Sequence, residues 1–130
     1  MTVHVPRLPE PIIAGPQEPP IAAVGRTLAV HEWSMPGPSY LHIHRSDDEG
    51  WHVLDGVLRF HLADGTFDAP AGTTVFLPAG TAHTYSCPVP SRYLIFLTPC
   101  LERLTCRRLL LTDQSEVAEI LAEHDTEIVA

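Results

Sequence analysis

Two histidines separated by a single residue are the first positions at which this sequence could do chemistry. His42 and His44 lie in an apolar run that predicts a β-strand, so their side chains leave the same face. Two imidazoles held side by side on a strand are good ligands for Zn, Fe, Mn, Ni or Cu. A carboxylate follows at Glu49, where the next strand begins after a polar turn. Asp48 is the alternative carboxylate, but Glu49 is preferred because it shares strand parity with Trp51, which we assign to the inward face.

A third histidine ends a second informative stretch, residues 72–83. This stretch reads as a strand, a turn containing Pro78 and Gly80, and then His83 at the start of another strand. A pair of histidines two residues apart is by itself more often a surface or core feature than a metal site. The second stretch changes that estimate when the two stretches are considered together.

The two stretches together resemble the two sequence motifs of the cupin family. The first motif is a glycine, then HxH, a glutamate and a second glycine, and the second has the form G-x5-P-x-G-x2-H. The matching residues are Gly37, His42, His44, Glu49 and Gly56 in the first motif, and Gly72, Pro78, Gly80 and His83 in the second. The chain departs from the pattern at two points. Only four residues separate Gly37 from His42, and Cys87 stands where the family usually has a supporting asparagine.

The resemblance implies an all-β fold, the cupin double-stranded β-helix or jelly-roll barrel, followed by short C-terminal helices. It also implies that one divalent transition metal ion (Fe, Mn, Ni, Zn or Cu) is held inside the barrel by three imidazoles and a carboxylate. The implied ligands are His42, His44, Glu49 and His83. Four protein ligands would leave one or two coordination positions for water, substrate or dioxygen, which suits catalysis better than a structural role.

Strand parity nominates the wall of the pocket around such a site. Tyr40 shares a face with His42, and Tyr85 shares one with His83. Either tyrosine, or Glu49, could act as a catalytic acid or base. The other pocket candidates are Trp51 on the face of Glu49, Trp33 at the mouth beside His31, and Cys87. The aromatic residues could instead belong to the barrel core, and Cys87 is interpreted as a small buried residue rather than a sulfur ligand.

The strands that must position these residues follow from the spacing of turn residues. Between residues 22 and 98, short apolar runs alternate with breaks of Gly, Pro and Asp, which is typical of an all-β sandwich or barrel. Asp55-Gly56 and Asp64-Gly65 are dipeptides favoured in tight hairpins. The run Arg92–Leu97 is apolar on both faces, which predicts a central strand or a strand at an interface.

We divide the chain into three parts. Residues 1–20 contain six prolines and are expected to form an extended arm or a disordered tail. Residues 21–98 are expected to form the barrel, and residues 99–130 a helical segment packed on it.

The C-terminal segment is predicted to contain two helices that carry no chemistry. Thr98 can cap the first helix, with Pro99 in its first turn. The second is expected from about Ser115 to His124, with Asp113 or Ser115 as its cap.

Composition limits the classes of protein to consider. A length of 130 residues fits one domain, and a net charge of −8 argues against nucleic acid as a partner. The basic residues are all arginines, so Schiff-base and P-loop chemistry, which need a lysine, are excluded. The odd count of three cysteines without a CxxC argues against a disulfide framework and favours the cytoplasm. No apolar run reaches the ~20 residues that span a membrane.

These features predict a metal-dependent enzyme that acts on a small organic molecule, aromatic or enol-bearing, and that is dioxygenase-like. The alternatives are a non-redox isomerase, cyclase or lyase of the cupin type, and a non-enzymatic small-molecule-binding cupin. A homodimer is expected, since small cupins often pair through their sheets and the N-terminal arm could cross to a partner.

Overall fold

A computed structural model describes residues 10–111 and 113–129 of the chain. Within these residues, ten strands and two α-helices follow one another, with a 3-10 turn at Gln114–Glu116 before the second helix. The strands are β1 (Ile21–Val24), β2 (Ala29–Trp33), β3 (His42–His44), β4 (Glu49–Asp55), β5 (Val57–Leu62), β6 (Gly65–Pro70), β7 (Thr74–Leu77), β8 (His83–Ser86), β9 (Arg92–Leu97) and β10 (Thr126–Ile128). The helices are α1 (Pro99–Leu109) and α2 (Val117–Glu123).

The strands form two antiparallel five-stranded sheets. The first sheet has the order β1-β2-β9-β4-β7, and the second has the order β10-β3-β8-β5-β6. Alternate residues point between the sheets, and the largest fully buried side chains there are Trp51, Tyr93 and Phe60. The predicted all-β jelly-roll fold is confirmed.

The strand β9 lies at the centre of the first sheet, between β2 and β4. Its neighbours cover both edges, and Tyr93, Ile95 and Leu97 are buried on one face. The prediction of a central strand at Arg92–Leu97 is therefore confirmed.

The two predicted hairpin dipeptides have different outcomes. Asp64-Gly65 joins β5 to β6, which pair with Leu62 opposite Gly65, so this hairpin is confirmed. Asp55-Gly56 does not form a hairpin, because β4 and β5 belong to different sheets and the chain turns a corner between them. Gly56 is required there: its φ is +78°, and a Cβ would lie 2.4 Å from both the Pro90 carbonyl oxygen and the Ser91 Oγ.

The C-terminal segment begins with the predicted capped helix. The Thr98 hydroxyl accepts a hydrogen bond from the Leu101 N–H, and Pro99 occupies the first turn of α1. The second helix is preceded by a 3-10 turn in which the Ser115 N–H donates a hydrogen bond to the Asp113 carboxylate. Both predicted helices are confirmed, although α2 itself has only seven residues.

The C-terminal segment, predicted as helical, also contains a short strand that was not predicted. Residues Thr126–Ile128 form β10, which pairs with β3 and places Thr126 opposite His44 and Ile128 opposite His42. Three residues are too few to show a period-two pattern in sequence.

The predicted N-terminal arm is described only from Glu10 onward, and residues 1–9 lie outside the described residues. Residues 10–20 contain no helix or strand. None of the described helices is long and apolar enough to cross a lipid bilayer.

Candidate metal centre

Four buried side chains, His42, His44, Glu49 and His83, converge between the sheets. Each offers one ligand atom, and these atoms all lie within 4.8 Å of one another. The second sheet supplies the three histidines from β3 and β8, where His42 is paired opposite His83. The first sheet supplies Glu49, the first residue of β4. The predicted set is therefore brought together by strand parity and by the facing of the two sheets.

The carboxylate of Glu49 is in close contact with two of the imidazoles. Its Oε1 lies 3.0 Å from His83 Nε2 and 3.2 Å from His44 Nε2. The ring of His42 completes the group, with its centroid 4.7 Å from that of His44 and 4.4 Å from that of His83.

The alternative carboxylate, Asp48, is not in this cluster. Its side chain is exposed, and its Oδ1 accepts a hydrogen bond of 2.9 Å from the Ala79 N–H. Of the two candidate carboxylates, Glu49 is therefore the one that lies in the cluster.

Hydrogen bonds at Nδ1 determine which nitrogen of two of these rings carries a lone pair. His42 Nδ1 lies 3.3 Å from the Tyr40 carbonyl oxygen, and His83 Nδ1 lies 2.9 Å from the Thr81 carbonyl oxygen. Because a carbonyl oxygen can only accept, both Nδ1 atoms must carry the hydrogen. In the neutral rings, the lone pair is then on Nε2.

The tautomer of His44 is fixed by a residue from the far end of the chain. His44 Nδ1 lies 2.8 Å from the Thr126 Oγ1, and that hydroxyl donates its single hydrogen to the His124 carbonyl oxygen at 3.1 Å. Thr126 can therefore only accept from His44, whose Nε2 is left with the lone pair. Such contacts orient imidazoles for metal binding in many proteins.

This arrangement fits a cation. The lone pairs of His44 Nε2 and His83 Nε2 would otherwise face the Glu49 carboxylate oxygen at hydrogen-bonding distance. Three imidazoles and one carboxylate are a donor set that first-row transition metal ions accept. Buried charges are retained in proteins when they are paired or bind a metal.

The protonation states also suit metal binding, which requires deprotonated ligands. Burial, together with the charges of His83 and His44, lowers the pKa of His42 to about 3, so its ring is neutral at pH 7. Burial on its own would raise the pKa of Glu49, but hydrogen bonds donated by protonated Nε2 atoms of His44 and His83 outweigh it and lower that pKa to about 2. Glu49 is therefore ionised. A bound metal ion would take the place of those two protons.

A small cavity of about 40 Å³, partly open to solvent, extends from the cluster. Three predicted pocket residues, Trp33, Tyr40 and Tyr85, are on its wall. The other lining residues come mainly from β9 and the two helices: Pro38, Ile95, Leu97, Leu104, Thr105, Arg108 and Leu121. The pocket is thus largely apolar, with a few polar groups, as small-molecule sites commonly are.

The two candidate catalytic tyrosines differ in the state of their hydroxyls. The Tyr93 hydroxyl donates to the Met35 carbonyl oxygen at 2.6 Å, so Tyr85 must donate to Tyr93, 2.7 Å away. Burial raises the pKa of Tyr85. The Tyr40 hydroxyl, in contrast, is buried and has no hydrogen-bond partner within the described part of the chain. Of the two, Tyr40 has the hydroxyl free to meet a ligand.

Two predicted pocket residues lie behind the wall. Trp51 is fully buried, and its ring packs edge-on against His83 with a centroid distance of 5.7 Å. Cys87 is partly buried against the core and does not line the cavity, and burial raises its pKa. Strand parity indicates which face of a sheet a residue is on but not its depth within the barrel.

His31 is buried rather than at the surface. Its Nδ1 accepts a hydrogen bond of 2.9 Å from the Trp33 indole, which holds Trp33 on the cavity wall. Its Nε2 lies 3.6 Å from Glu102 on α1.

The sequence reasoning missed the contribution of the C-terminal segment to the site. Thr126 orients His44, and Leu104, Thr105, Arg108 and Leu121 close the cavity. The available signal was on α1, where Leu101, Leu104, Thr105 and Arg108 follow the spacing of one helix face. An arginine on an otherwise inward-facing stripe indicates a position next to a pocket or at the edge of the core.

Comparison with known proteins bears on the fold. The family model Cupin_2, described as "Cupin domain", matches residues 27–97. No curated protein matches the chain.

Solved structures with the same fold include two bacterial proteins. A protein from Neisseria meningitidis is 15% identical with a TM-score of 0.53, and the match covers 65% of this chain and 87% of that one. A cupin-2 domain containing protein from Shewanella frigidimarina is 20% identical with a TM-score of 0.54, covering 63% of this chain and 81% of that one. Similarity at these identities supports the fold alone.

Proposed function

Because this chain belongs to the cupin family, whose model matches more than half of it, we propose that it is a metal-dependent enzyme acting on a small organic molecule. The observation that carries the proposal is the convergence of three imidazoles and the Glu49 carboxylate, with Nδ1 of all three rings engaged elsewhere. The ligands are His42, His44, Glu49 and His83. A metal ion that is held by protein side chains next to a cavity is more often catalytic than structural.

The test of this proposal is the metal content of the full chain, measured by elemental mass spectrometry as purified and after reconstitution with Fe, Mn, Ni, Zn or Cu. We expect about one ion per chain for at least one of them, since the donor set is complete and buried. Absence of any stoichiometric metal after reconstitution would overturn it.

When bound, the metal would supply a Lewis acid and, if it is redox-active, a centre for reaction with dioxygen. The protein residues around it have separate tasks. Tyr40 lines the cavity, and its buried hydroxyl, which has no hydrogen-bond partner among the described residues, can donate a proton to a ligand. Trp33 and Leu104 form part of an apolar wall that excludes water from the cavity.

A dioxygenase-like reaction on an aromatic or enol-bearing substrate is our preferred form of this function. The support is the wall of Trp33, Tyr40 and Tyr85 with Ile95 and Leu97, which favours flat apolar molecules over free sugars. Oxygen consumption with flavonols and with 1,3-diketones tests it on each metal-loaded form. Turnover without oxygen uptake would exclude a dioxygenase.

The second candidate is a non-redox isomerase, cyclase or lyase, and the observation in its favour is the unpartnered Tyr40 hydroxyl. Such reactions need a proton moved at a defined position and no oxygen. Incorporation of deuterium from D₂O into substrate under anaerobic conditions, lost in Tyr40→Phe but kept in Tyr85→Phe, is the expected result for this class. A protein that binds ligands but turns none over would instead be a non-enzymatic cupin.

We also propose that the protein is a homodimer that pairs through the outer face of its first sheet. Phe76 on β7 is 61% exposed, and Leu28 beside it is 53% exposed. They border a shallow apolar depression with Phe96, and apolar patches of this kind favour burial against another subunit. Light scattering after size exclusion is expected to give twice the chain mass. A monomer mass at micromolar concentration would contradict this proposal.

A further inference from the structure

The polar residue at the end of the inward stripe of α1 is Arg108. Leu101 and Leu104 on this stripe are buried, and Leu104, Thr105 and Arg108 line the cavity that holds the metal cluster. Residues at positions i, i+3, i+4 and i+7 share one face of a helix, so Arg108 continues the face that packs on the barrel. Its aliphatic stem can cover apolar wall while its guanidinium meets the cavity.

Among the described residues, Arg108 differs from four other arginines in having no acidic partner. Within residues 10–111 and 113–129, no carboxylate forms an ion pair with it. Four other arginines are paired: Arg45 with Glu127, Arg59 with Asp68, Arg92 with Glu32, and Arg107 with Glu123. The adjacent Arg107 is paired with Glu123 on α2. Arg108, which lines the cavity, is not paired with a carboxylate of the described residues.

The charges around the cavity favour an anion. Glu49 is the acidic residue on the cavity wall, and its charge is directed at the imidazoles. A divalent ion in the cluster would exceed that single negative charge, and Arg108 adds another positive charge. A neutral ligand that filled the cavity would remove water from the guanidinium without replacing its hydrogen bonds, which is costly.

We propose that Arg108 binds the carboxylate of the ligand, and that the ligand class is small aromatic or conjugated carboxylic acids. This inference rests on the proposed function for the location of the site but not on the identity of the metal. A guanidinium pairs with a carboxylate through two parallel hydrogen bonds. Thr105, one turn earlier on the same helix face, places a hydroxyl on the same side of the cavity. The aromatic part of the acid then lies along Trp33 and Leu104.

Binding of benzoate and cinnamate to the full-length protein tests this assignment, with benzamide as the uncharged probe of the same shape as benzoate. Titration calorimetry and quenching of tryptophan fluorescence provide the readouts, because Trp33 lines the cavity. Arg108→Gln is expected to raise the Kd of benzoate by about tenfold or more, since a charge-assisted hydrogen bond is lost. The Kd of benzamide should change far less than that of benzoate, because a neutral amide forms no charge-assisted pair with Arg108. Arg103→Gln is the matched control, because Arg103 is on the same helix but exposed.

Metal content and binding are measured on the same samples, with and without a chelator, to separate this inference from the proposed function. Loss of benzoate binding in Arg108→Gln with unchanged metal content supports the assignment. The same loss in protein that binds no metal would leave the assignment standing and remove the proposed function. If Arg108→Gln does not fold, as judged by circular dichroism, Arg108→Lys decides, and it should weaken benzoate binding because the two parallel hydrogen bonds are lost.

Three results would overturn the assignment. One is an equal Kd of benzoate for wild type and Arg108→Gln, which would mean that the metal alone holds the acid. Another is the absence of saturable binding of either acid to wild type. The third is tighter binding of inorganic phosphate than of benzoate, with the same dependence on Arg108, which would replace the carboxylate by a phosphate group.

Discussion

The strand framework and the C-terminal segment contribute to the same cavity in different ways. The strands β3, β4 and β8 bring four ligand atoms to one point by alternation of side chains and by facing of the two sheets. The segment from α1 to β10 supplies none of these atoms. It closes the cavity and provides Thr126, which holds the His44 ring. The framework therefore determines which atoms meet, and the C-terminal segment determines how one ring is oriented and what the cavity accepts.

The largest expected difference between inward and outward strand positions is in metal content. His44→Ala removes a ligand atom from the cluster, so bound metal should fall by more than the roughly 10–100-fold that loss of an orienting partner costs. His61→Ala is the control, since His61 faces away on β5 and contacts the Ser86 hydroxyl at 2.9 Å. Elemental analysis of both variants provides the measurement. Equal metal loss in the two would contradict the assignment of faces.

A smaller effect on metal binding is expected from the C-terminal segment. Thr126→Val keeps the side-chain shape but removes the oxygen that accepts from His44 Nδ1, so metal affinity should fall by about 10–100-fold. Thr126→Ser should restore most of it.

Competition with a chelator measures these affinities, and the chain provides a matched control. His52 Nδ1 and the Thr74 hydroxyl are also 2.8 Å apart but lie outside the cluster, so Thr74→Val should leave metal affinity unchanged. A loss in Thr74→Val as large as in Thr126→Val would show that the effect is not specific to the site.

A stability effect is expected at the corner between the two sheets. Gly56 has a φ of +78°, and the Cβ added in Gly56→Ala would lie 2.4 Å from both the Pro90 oxygen and the Ser91 Oγ. We expect this substitution to lower the free energy of unfolding by at least about 2 kcal/mol. Gly72→Ala has a similar φ of +91° but open space around its Cβ, so it should cost only about 1 kcal/mol. Urea unfolding in the presence of chelator measures both. Equal losses would mean that backbone strain alone is responsible.

The smallest expected effect is at the start of α1. Thr98→Ala removes the cap of the Leu101 N–H and a hydrogen bond of 2.8 Å to Asp47, which should lower the free energy of unfolding by about 1 kcal/mol. Metal content should not change, because the ligand atoms are on strands. Thr98→Ser should recover the lost stability. A fall in metal content with Thr98→Ala would show that the helix also determines the ligand positions.

The parts of the site that could be predicted from sequence depend on local periodicity. His42 and His44 share a face because side chains alternate along a strand, and the spacings to Glu49 and His83 are those of recognised motifs. The same alternation did not give depth, which is why Trp51 and Cys87 were assigned to a wall that they lie behind. Depth depends on the stagger between strands, and no single strand carries that information.

Other features could not be predicted because they depend on pairing between distant segments. The dipeptide Asp55-Gly56 indicates a tight turn but not which sheet the next strand joins. The strand β10 has too few residues for a pattern, and its position follows from its pairing with β3. The helical spacing that ends at Arg108 is visible in the sequence, whereas the cavity next to it becomes visible only when α1 is placed on the barrel.

The contact between His44 and Thr126 also has a consequence for how the protein is made. The two residues are 82 positions apart, so this hydrogen bond is among the longest-range contacts in the chain. Synthesis proceeds from the N-terminus, and long-range contacts form late because the intervening loop must be closed. All four ligand residues therefore emerge from the ribosome well before the residue that holds one of them in place. A nascent chain would meet metal ions in the cell while the His44 ring is still free to rotate. The site would therefore be fully selective among metal ions only after β10 has paired with β3.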